Sequence, residues 1–259
     1  CKDECLPEET NRRIVDIISD VNLCYSEHAR RYLMECGMPK ERTFVVGSPM
    51  AEVLRASLEK IKASDVHAHL GLTRGRYILL SAHREENIDT DCNFIQLFTA
   101  VNAMAETYNM PILYSCHPRS RKRLEATGFP LDRRVIAHEP LGFHDYNCLQ
   151  MNAFAVVSDS GTLPEESSFF LSAGSPLPAV SIRTSTERPE ALDAGCFVLA
   201  GIDADSLLRA VDMAVSMQAE GRFGTPVTDY TGENVSTKVV RIIQSYTGIV
   251  NRLVWRKDG

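Results

Sequence analysis

Apolar strands and amphipathic helices alternate regularly from residue 76 onward, and this rhythm limits the fold more than any other feature. The first strand, RYILLSAH, contains the continuous apolar run YILL, as expected for a parallel strand buried on both faces. Alternating units of this kind predict an α/β fold with a doubly wound parallel sheet and right-handed connections. The predicted strands of this region are 76–83, 111–117, 133–139, 153–158, 178–183 and 196–201.

The segments on either side are mainly helical. Near the N-terminus we predict helices at 7–21 and 26–37, a short strand at 43–48 and a charged helical stretch to about residue 70. Ser26 and Gly37 are typical residues for the start and the end of a helix. The chain finishes with predicted helices at about 203–220 and 232–250.

Composition excludes several classes of partner. The formal net charge is −6, so no basic surplus is available to neutralise nucleic-acid or membrane phosphates. No apolar run approaches the ~20 residues that span a bilayer. Small anionic ligands remain compatible with this charge, because local groups bind them. We therefore predict a protein without nucleic-acid or membrane partners.

The eight cysteines are scattered and form no CxxC pair. This pattern predicts reduced, buried thiols in a cytoplasmic protein, without a disulfide framework or a zinc site. The HAH sequence at 67–69 lacks an accompanying carboxylate–histidine cluster, so we assign no metal.

Polar residues follow the predicted strands where ligands bind in doubly wound sheets, at the carboxyl ends. Any one of these histidines alone would be expected to be structural. Their recurrence after five successive strands instead indicates a functional rim. The rim residues are His83, Arg84 and Glu85; His117 and Arg119; His138 and Glu139; the turn SDSGT; and Arg183 with Arg188.

The turn SDSGT (158–162) leads into a helix and favours an anion. Ser160, Gly161 and Thr162 offer backbone N–H groups and hydroxyls at a helix N-terminus, and the glycine permits close approach. His83 and Arg188 are expected to add positive charge. The turn therefore predicts a phosphate or diphosphate site.

Two carboxylates, Glu165 and Glu166, follow this turn and are expected to point away from its amides. One of them can accept hydrogen bonds from a ribose diol, so the segment as a whole indicates a nucleoside diphosphate. The alternative is that Ser158 or Asp159 caps the helix and both glutamates complement its dipole. A serine hydrolase is disfavoured because the G-x-S-x-G elbow is absent.

These segments resemble the non-hydrolysing UDP-N-acetylglucosamine 2-epimerases over nearly the whole chain. The resemblance implies a glycosyltransferase-B-like fold of two Rossmann-like domains, with UDP bound between them and mostly by the C-terminal one. The motifs that carry it are LPEETNR (6–12), GSPMAEVL (47–54), AHREEN (82–87), CHPRSRKRLE (116–125), EPLGFHDY (139–146), SDSGTLPEES (158–167) and RTSTERPEALDAG (183–195).

The resemblance also implies a domain division. Residues 1–46 correspond to the end of the N-terminal domain, 47–230 to the UDP-binding domain, and 231–259 to a helix packing back toward the N-terminal domain. The glycine-rich first turn and two further catalytic acids of the family have no counterpart here. We therefore expect this chain alone to bind UDP weakly and not to epimerise. The family implies a homodimer.

Site residues follow from the same motifs. His83 corresponds to a histidine that approaches the diphosphate and supports catalysis, and Glu8 to a catalytic carboxylate with Arg12 near it. Ser160, Gly161 and Thr162 correspond to the diphosphate turn. The further substrate-binding positions are Glu166 for the ribose, Leu141 and Tyr146 for the uracil, and Arg12, Arg84 and Arg188.

The implied reaction inverts C2 of a UDP-linked 2-acetamido sugar through elimination of UDP, a 2-acetamidoglycal, and re-addition. It requires no metal or redox cofactor. SDSGT followed by EESS resembles a subgroup that acts on deoxy or modified sugars for capsule and O-antigen synthesis. The segment 169–183 is longer than expected between a helix and a strand.

Three rival functions remain open at this point. A UDP-sugar glycosyltransferase of the same fold would use a similar ribose-binding carboxylate but would require an acceptor. A hydrolysing epimerase would release the free sugar. A non-catalytic module would bind the nucleotide sugar and leave C2 unchanged.

Overall fold

The computed structural model describes the backbone of residues 7–183, 185, 186 and 188–257, and the side chains of these residues from Glu9 onward. The chain divides into two compact units, Cys1–Arg55 with Val227–Gly259 and Ala56–Pro226. In chain order the described helices are α1 (Pro7–Ile18), α2 (Glu27–Glu35), α3 (Met50–Lys62), α4 (Val66–Leu70), α5 (Glu85–Ile88), α6 (Asp91–Tyr108), α7 (Pro118–Thr127), α8 (Phe143–Met151), α9 (Leu163–Ser172), α10 (Pro189–Asp193), α11 (Ala204–Ala219), α12 (Thr228–Thr231) and α13 (Val235–Leu253). The described strands are β1 (Asn22–Cys24), β2 (Thr43–Val45), β3 (Ile78–Ser81), β4 (Ile112–Ser115), β5 (Val135–His138), β6 (Ala155–Ser158), β7 (Ala179–Ile182) and β8 (Val198–Ala200).

The unit that contains both ends of the chain has a small parallel sheet. Strands β1 and β2 pair from Asn22 opposite Thr43 to Cys24 opposite Val45. Strand β1 was not predicted, because three residues directly after a helix give too short a pattern to recognise. The predicted helix 7–21 was accordingly too long, since α1 ends at Ile18.

Helix α13 is held within this unit by polar contacts near both of its ends. Lys238 Nζ donates to the carbonyl of Val46 at 3.1 Å, and Tyr246 Oη donates to the carbonyl of Glu41 at 2.8 Å. After the helix, Trp255 Nε1 donates to Asp20 Oδ2 at 2.8 Å. Residues far apart in sequence thus form one compact unit.

The other unit is built on a six-stranded sheet of order β5-β4-β3-β6-β7-β8, in which every pair is parallel. The chain runs outward from β3 to β5, returns to the centre and continues outward from β6 to β8. This is the order of a doubly wound dinucleotide-binding sheet, and its direction reverses between β3 and β6. The predicted α/β class with a parallel sheet is confirmed.

The core lies on both faces of this sheet. Ile78 and Leu80 of β3 belong to a fully buried cluster with α6 and α11, and Leu79 between them is equally buried. Because alternate residues of a strand point to opposite faces, Leu79 packs on the other side. The continuous apolar runs in the sequence follow from this two-sided burial.

The cysteine prediction was partly wrong. Four of the six cysteines in the described residues are buried, whereas Cys36 and Cys92 are exposed, and all six are free thiols. Both exposed cysteines lie at helix ends, where a small residue needs no apolar surroundings. Within the described ranges, no helix is long and apolar enough to cross a bilayer, and no three His, Cys, Asp or Glu side chains are grouped to hold a metal ion.

The long segment 169–183 contains the end of α9, a turn and β7. Gly174, with φ of 76°, lets the chain turn after the helix, and Ser175 N–H donates to the carbonyl of Phe170 at 2.8 Å. Gln218 Nε2 donates to the carbonyl of Pro176 at 2.9 Å and ties the turn to α11. The additional residues therefore form a connection that is hydrogen-bonded to the rest of its unit.

Candidate functional site

The site begins where β3 and β6 end side by side. Ser81 pairs with Ser158 as the last residue of each strand, and Asp159 N–H then donates to the carbonyl of Ser81 at 3.1 Å. Two polar loops, 82–87 and 159–162, therefore leave the sheet together at the point where its strand order reverses. Ligands bind at this position in open α/β sheets.

Asp159 joins these two loops. Its side chain is fully buried, and its Oδ2 accepts from the backbone N–H groups of His83 and Arg84, each at 2.9 Å, and from Asn87 Nδ2 at 3.1 Å. Arg84 Nε also donates to the backbone carbonyl of Asp159 at 2.8 Å. A buried carboxylate requires hydrogen-bond donors, and here it takes them from the loop after β3 and so holds that loop against the loop after β6.

His83 presents an open ring at this rim. Its Nδ1 lies 3.2 Å from Asp159 Oδ1, while 45% of the side chain remains exposed. Because Nδ1 is the ring nitrogen beside this carboxylate, Nε2 is the one that faces away from Asp159. The His117 ring lies beside it, with 6.5 Å between the ring centroids. His83 is thus oriented by the protein and still accessible.

The other rim residues are less concentrated than predicted. His138 ends the edge strand β5, and its Nδ1 lies 2.7 Å from the carbonyl of Glu139. Arg119 forms ion pairs with Glu85 at 2.7 Å and Asp89 at 2.5 Å. Arg183 is buried rather than presented at the rim. The strand ends therefore gather mainly the groups that follow β3, β6 and β7.

The turn after β6 is organised by its own hydroxyls. Ser160 N–H donates to Ser158 Oγ at 3.0 Å, and Thr162 N–H donates to Ser160 Oγ at 3.3 Å. The hydroxyls of Ser160 and Thr162 lie 2.9 Å apart. Two of the three predicted anion-binding amides, those of Ser160 and Thr162, are therefore used within the turn.

The capping alternative for this turn is wrong. Thr162 occupies the position before α9 and makes no side-chain capping bond. Ser158 accepts from Ser160 N–H, and the Asp159 carboxylate faces the loop after β3 instead of the helix. The polar side chains of the turn organise the loops themselves.

Gly161 is not required by the fold. A Cβ added there would meet only Arg84 Nη2, at 3.6 Å, which is an ordinary contact distance. The absence of a side chain leaves the backbone of the turn accessible beside the Arg84 guanidinium.

Glu166 lies deep in the site, with 7% of the residue exposed. Thr162 Oγ1 donates to its Oε1, and Gln150 Nε2 donates to its Oε2, both at 2.8 Å. Burial raises the pKa of Glu166 and the negative charge of Glu165 raises it further, whereas the two hydrogen bonds oppose this shift. The expectation that both carboxylates point away from the turn was wrong for Glu166, because residues four apart on a helix share a face.

Glu165 has a different role from its neighbour. Its Oε1 accepts from Arg188 Nε at 3.0 Å and lies 2.9 Å from Arg188 Nη2, and both side chains are largely buried. The ion pair links the start of α9 to the start of α10. Glu165 therefore neutralises the guanidinium that was expected to add positive charge, and its own negative charge is balanced in turn.

The predicted base-binding residues lie on and before α8. Burial raises the pKa of Tyr146, and the negative charge of Glu166 adds to this, while hydrogen bonding with Ser81 and Ser158 opposes it. The tyrosine is therefore close to the ends of β3 and β6. Leu141 lies half-buried in the loop between β5 and α8.

Two predicted residues belong to the other unit. The side chain of Glu8 lies outside the described residues. Arg12, on α1, has its Nε 3.9 Å from Glu9 Oε2. The roles of Glu8 and Arg12 stay predictions.

Sequence reasoning did not identify Asn87 and Gln150. Asn87 is buried, and its Nδ2 donates both to Asp159 and to the carbonyl of Ile182, at 3.2 Å for the latter. Gln150 is buried in the otherwise apolar end of α8. The sequence signal for Gln150 was a polar residue among the apolar residues Cys148, Leu149 and Met151. The signal for Asn87 was that it belongs to the motif AHREEN.

Comparison with known proteins gives a consistent result. A family profile described as UDP-N-acetylglucosamine 2-epimerase matches residues 1–244. The chain is 28% identical over 224 residues to a UDP-N-acetylglucosamine 2-epimerase of Methanocaldococcus jannaschii, covering 83% of this chain and 59% of the relative. This chain thus spans less than two thirds of that relative's length.

Solved structures agree. The structure of the UDP-N-acetylglucosamine 2-epimerase from Rickettsia bellii has a TM-score of 0.89 and 41% identity, covering 99% of this chain and 68% of the other. The Methanocaldococcus jannaschii UDP-GlcNAc 2-epimerase in complex with UDP-GlcNAc and UDP has a TM-score of 0.83 and 27% identity, covering 94% and 66%. These similarities confirm the predicted glycosyltransferase-B-like fold class. Because a family profile covers residues 1–244 of its 259 residues, the chain belongs to the UDP-N-acetylglucosamine 2-epimerase family.

Proposed function

We propose that this chain supplies the UDP-binding part of an epimerase that inverts C2 of a UDP-linked 2-acetamido sugar. The observation that carries this proposal is the buried Glu166 carboxylate, which is hydrogen-bonded through Thr162 to the turn at the reversal point of the sheet. A carboxylate next to an anion-binding turn has the arrangement needed for a ribose attached to a diphosphate. The solved relative from Methanocaldococcus jannaschii supports this, since it is described in complex with UDP-GlcNAc and UDP.

In this proposal the diphosphate binds at the turn formed by Ser160, Gly161 and Thr162, beside His83 and Arg84. The local charge balance supports an anion here. Glu165 is paired with Arg188, and Asp159 is surrounded by four N–H or ring-nitrogen groups. The carboxylates of the site are therefore compensated by the protein, so they repel a diphosphate less than their number would indicate.

The nucleoside would extend from this turn toward α8. Glu166 accepts from the ribose hydroxyls, and Tyr146 and Leu141 line the position of the uracil. Because burial raises the pKa of Tyr146, its hydroxyl stays protonated at neutral pH and adds no negative charge beside the nucleotide.

The proposed chemistry is elimination of UDP and its re-addition on a 2-acetamidoglycal. His83 and the turn stabilise the charge that develops on the departing UDP, which is the usual benefit of preorganised donors. Glu8 acts on the C2 proton, with Arg12 near it. The substrate is UDP-N-acetylglucosamine or a deoxy or modified 2-acetamido sugar used in capsule or O-antigen synthesis.

We further propose the domain division 1–46, 47–230 and 231–259, a homodimer and a cytoplasmic location. The scattered free thiols support the location, and the pairing of α13 with the N-terminal residues supports the assignment of the last segment.

The binding site can be tested by calorimetry with UDP. Glu166→Ala is expected to weaken UDP binding about 10- to 100-fold, the effect of losing hydrogen bonds to a charged group. Glu125→Ala is the matched control, because Glu125 is exposed on α7 of the same unit. A chain that does not bind UDP, or one whose affinity is unchanged by Glu166→Ala, would contradict the proposal.

The reaction can be tested by NMR in heavy water with UDP-N-acetylglucosamine. The chain spans 59% of the length of the Methanocaldococcus jannaschii relative, so we expect the 259 residues alone to leave C2 protonated. Deuterium at C2 would show that the residues of this chain suffice for proton exchange. Transfer of the sugar to an added acceptor would instead favour the glycosyltransferase.

A further inference from the structure

We propose that Gln150 is a positioning residue, which holds the Glu166 carboxylate in the orientation that receives the ribose diol. The inference rests on the proposed function, since it concerns how the nucleoside-binding carboxylate is prepared. It adds to the site a residue that touches neither the diphosphate turn nor the rim.

The contact is short and buried. Gln150 is fully buried on α8, and its Nε2 donates to Glu166 Oε2 at 2.8 Å. The amide nitrogen faces Glu166 and the amide oxygen faces away, which is the orientation in which the glutamine donates to the carboxyl group. The orientation of the glutamine is thereby determined by the carboxylate.

The amide oxygen of Gln150 indicates why a glutamine, and not an apolar residue, occupies this position. Gln150 Oε1 is buried and has no hydrogen-bond partner within the described residues. A buried carbonyl without a partner destabilises the fold, whereas a leucine or methionine of similar size would avoid that cost. The glutamine is therefore unfavourable for packing alone, and its compensation is the bond to Glu166.

Two elements hold the carboxylate from opposite oxygens. Gln150 on α8 contacts Oε2, and Thr162 from the turn contacts Oε1. Each carboxylate oxygen has capacity for a second hydrogen bond, so a fixed carboxylate can still accept one hydroxyl of a vicinal diol at each oxygen. The charged or titratable groups that act on Glu166 are Glu165 on the same helix and Tyr146 on α8.

Positioning by Gln150 predicts an effect that depends on the ribose hydroxyls. Gln150→Met keeps the length of the side chain and removes the donor. We expect it to weaken UDP binding about 5- to 20-fold, because a carboxylate that is no longer fixed makes weaker hydrogen bonds to the diol, at a cost of about 1–2 kcal/mol. Binding of 2′,3′-dideoxyuridine diphosphate, which has no diol, should change less than about twofold.

The experiment is calorimetry of the wild-type chain and the variant with both nucleotides. Gln218→Met is the matched control, because Gln218 donates to a backbone carbonyl elsewhere in the same unit. Gln150→Leu is the second variant if methionine does not fold, as judged by circular dichroism.

Each outcome has a distinct meaning. An equal loss for both nucleotides would assign Gln150 to general packing and overturn the inference, as would unchanged UDP binding. Failure of both Gln150 variants to fold would likewise assign it to packing. A wild-type chain that binds neither nucleotide would instead refute the proposed function, and one that binds both equally would refute the role of Glu166.

Discussion

Asp159 shows how one buried carboxylate can assemble a site from two loops. It receives N–H groups from His83 and Arg84, a side-chain amide from Asn87, and a ring nitrogen of His83 nearby. All of these groups lie more than seventy residues before Asp159 in the sequence. The carboxylate therefore holds together two loops that are far apart along the chain.

Asp159→Asn should therefore disrupt both folding and binding. The asparagine oxygen can still accept from the three N–H groups that bond Oδ2, but the variant loses the negative charge that strengthens these hydrogen bonds and places an NH2 group beside His83 Nδ1. We therefore expect the free energy of unfolding to fall by about 1–3 kcal/mol. UDP affinity should fall as well, because His83 loses its orientation. Urea unfolding and calorimetry measure the two effects. Asp205→Asn on α11 serves as the exposed control, and a similar stability for both variants would contradict this account.

Glu166 predicts a specific dependence of stability on pH. Its pKa is raised by burial, so the folded chain holds this proton more tightly than the unfolded chain, whose carboxyl titrates near 4.5. The protonated form stabilises the fold, and this contribution is lost as pH rises through the raised pKa.

Glu166→Gln removes this titration. The stability of the variant relative to wild type should thus be more favourable at pH 8 than at pH 5, measured by thermal unfolding at both values. A difference that is the same at both pH values would show that Glu166 does not titrate with a raised pKa.

At the level of secondary-structure elements, the turn before α9 contains residues that support its conformation and one glycine that the fold does not require. The hydroxyls of Ser158, Ser160 and Thr162 support its backbone, and Gly161 leaves it open. The fold therefore does not require this glycine, in contrast to Gly224, where an added Cβ would lie 2.3 Å from the carbonyl oxygen of Ala194.

Gly161→Ala should leave the free energy of unfolding within about 0.5 kcal/mol of wild type. UDP binding should weaken about tenfold, because the methyl group occupies space beside the proposed diphosphate position and one hydrogen bond is lost. Thermal unfolding and calorimetry on the same samples separate the two effects. Gly224→Ala should instead lower the free energy of unfolding clearly, because its Cβ would clash with the carbonyl oxygen of Ala194.

At the level of the complete chain, the parallel sheet of Ala56–Pro226 depends on a core of aromatic side chains. Phe98 of α6 is fully buried, with its ring centroid 4.7 Å from that of Phe94 and 5.6 Å from that of Tyr114. This cluster packs against the sheet whose strand ends carry the site.

Phe98→Ala is expected to lower the free energy of unfolding by about 3–5 kcal/mol, since it leaves a cavity in the core. Ile95→Ala on the same helix is the control, because Ile95 is exposed and its loss should cost far less. Urea unfolding followed by circular dichroism measures both. Equal effects would indicate that α6 does not pack on the sheet as described.

Much of the architecture was accessible from local pattern. Continuous apolar runs predicted each strand of the large sheet, and Ser26 was correctly predicted to start α2, where its Oγ accepts from Ala29 N–H at 3.2 Å. Strands and helix caps of this kind depend on residues close in sequence, so the local sequence pattern is enough to predict them. Strand β1 escaped recognition because three residues pair with a strand about twenty positions away and show no period of their own.

The prediction of an anion beside a diol used only the residues of SDSGTLPEES, whose amides, hydroxyls and carboxylates lie within one turn and one helix, and it stays a prediction. The partners of those carboxylates were not accessible in the same way. Glu165 pairs with Arg188, and Glu166 with Gln150, across separate elements. Asp159 likewise faces a loop more than seventy residues earlier. Side chains are brought into contact by the order of strands in the sheet, and that order is a property of packing that no local spacing encodes.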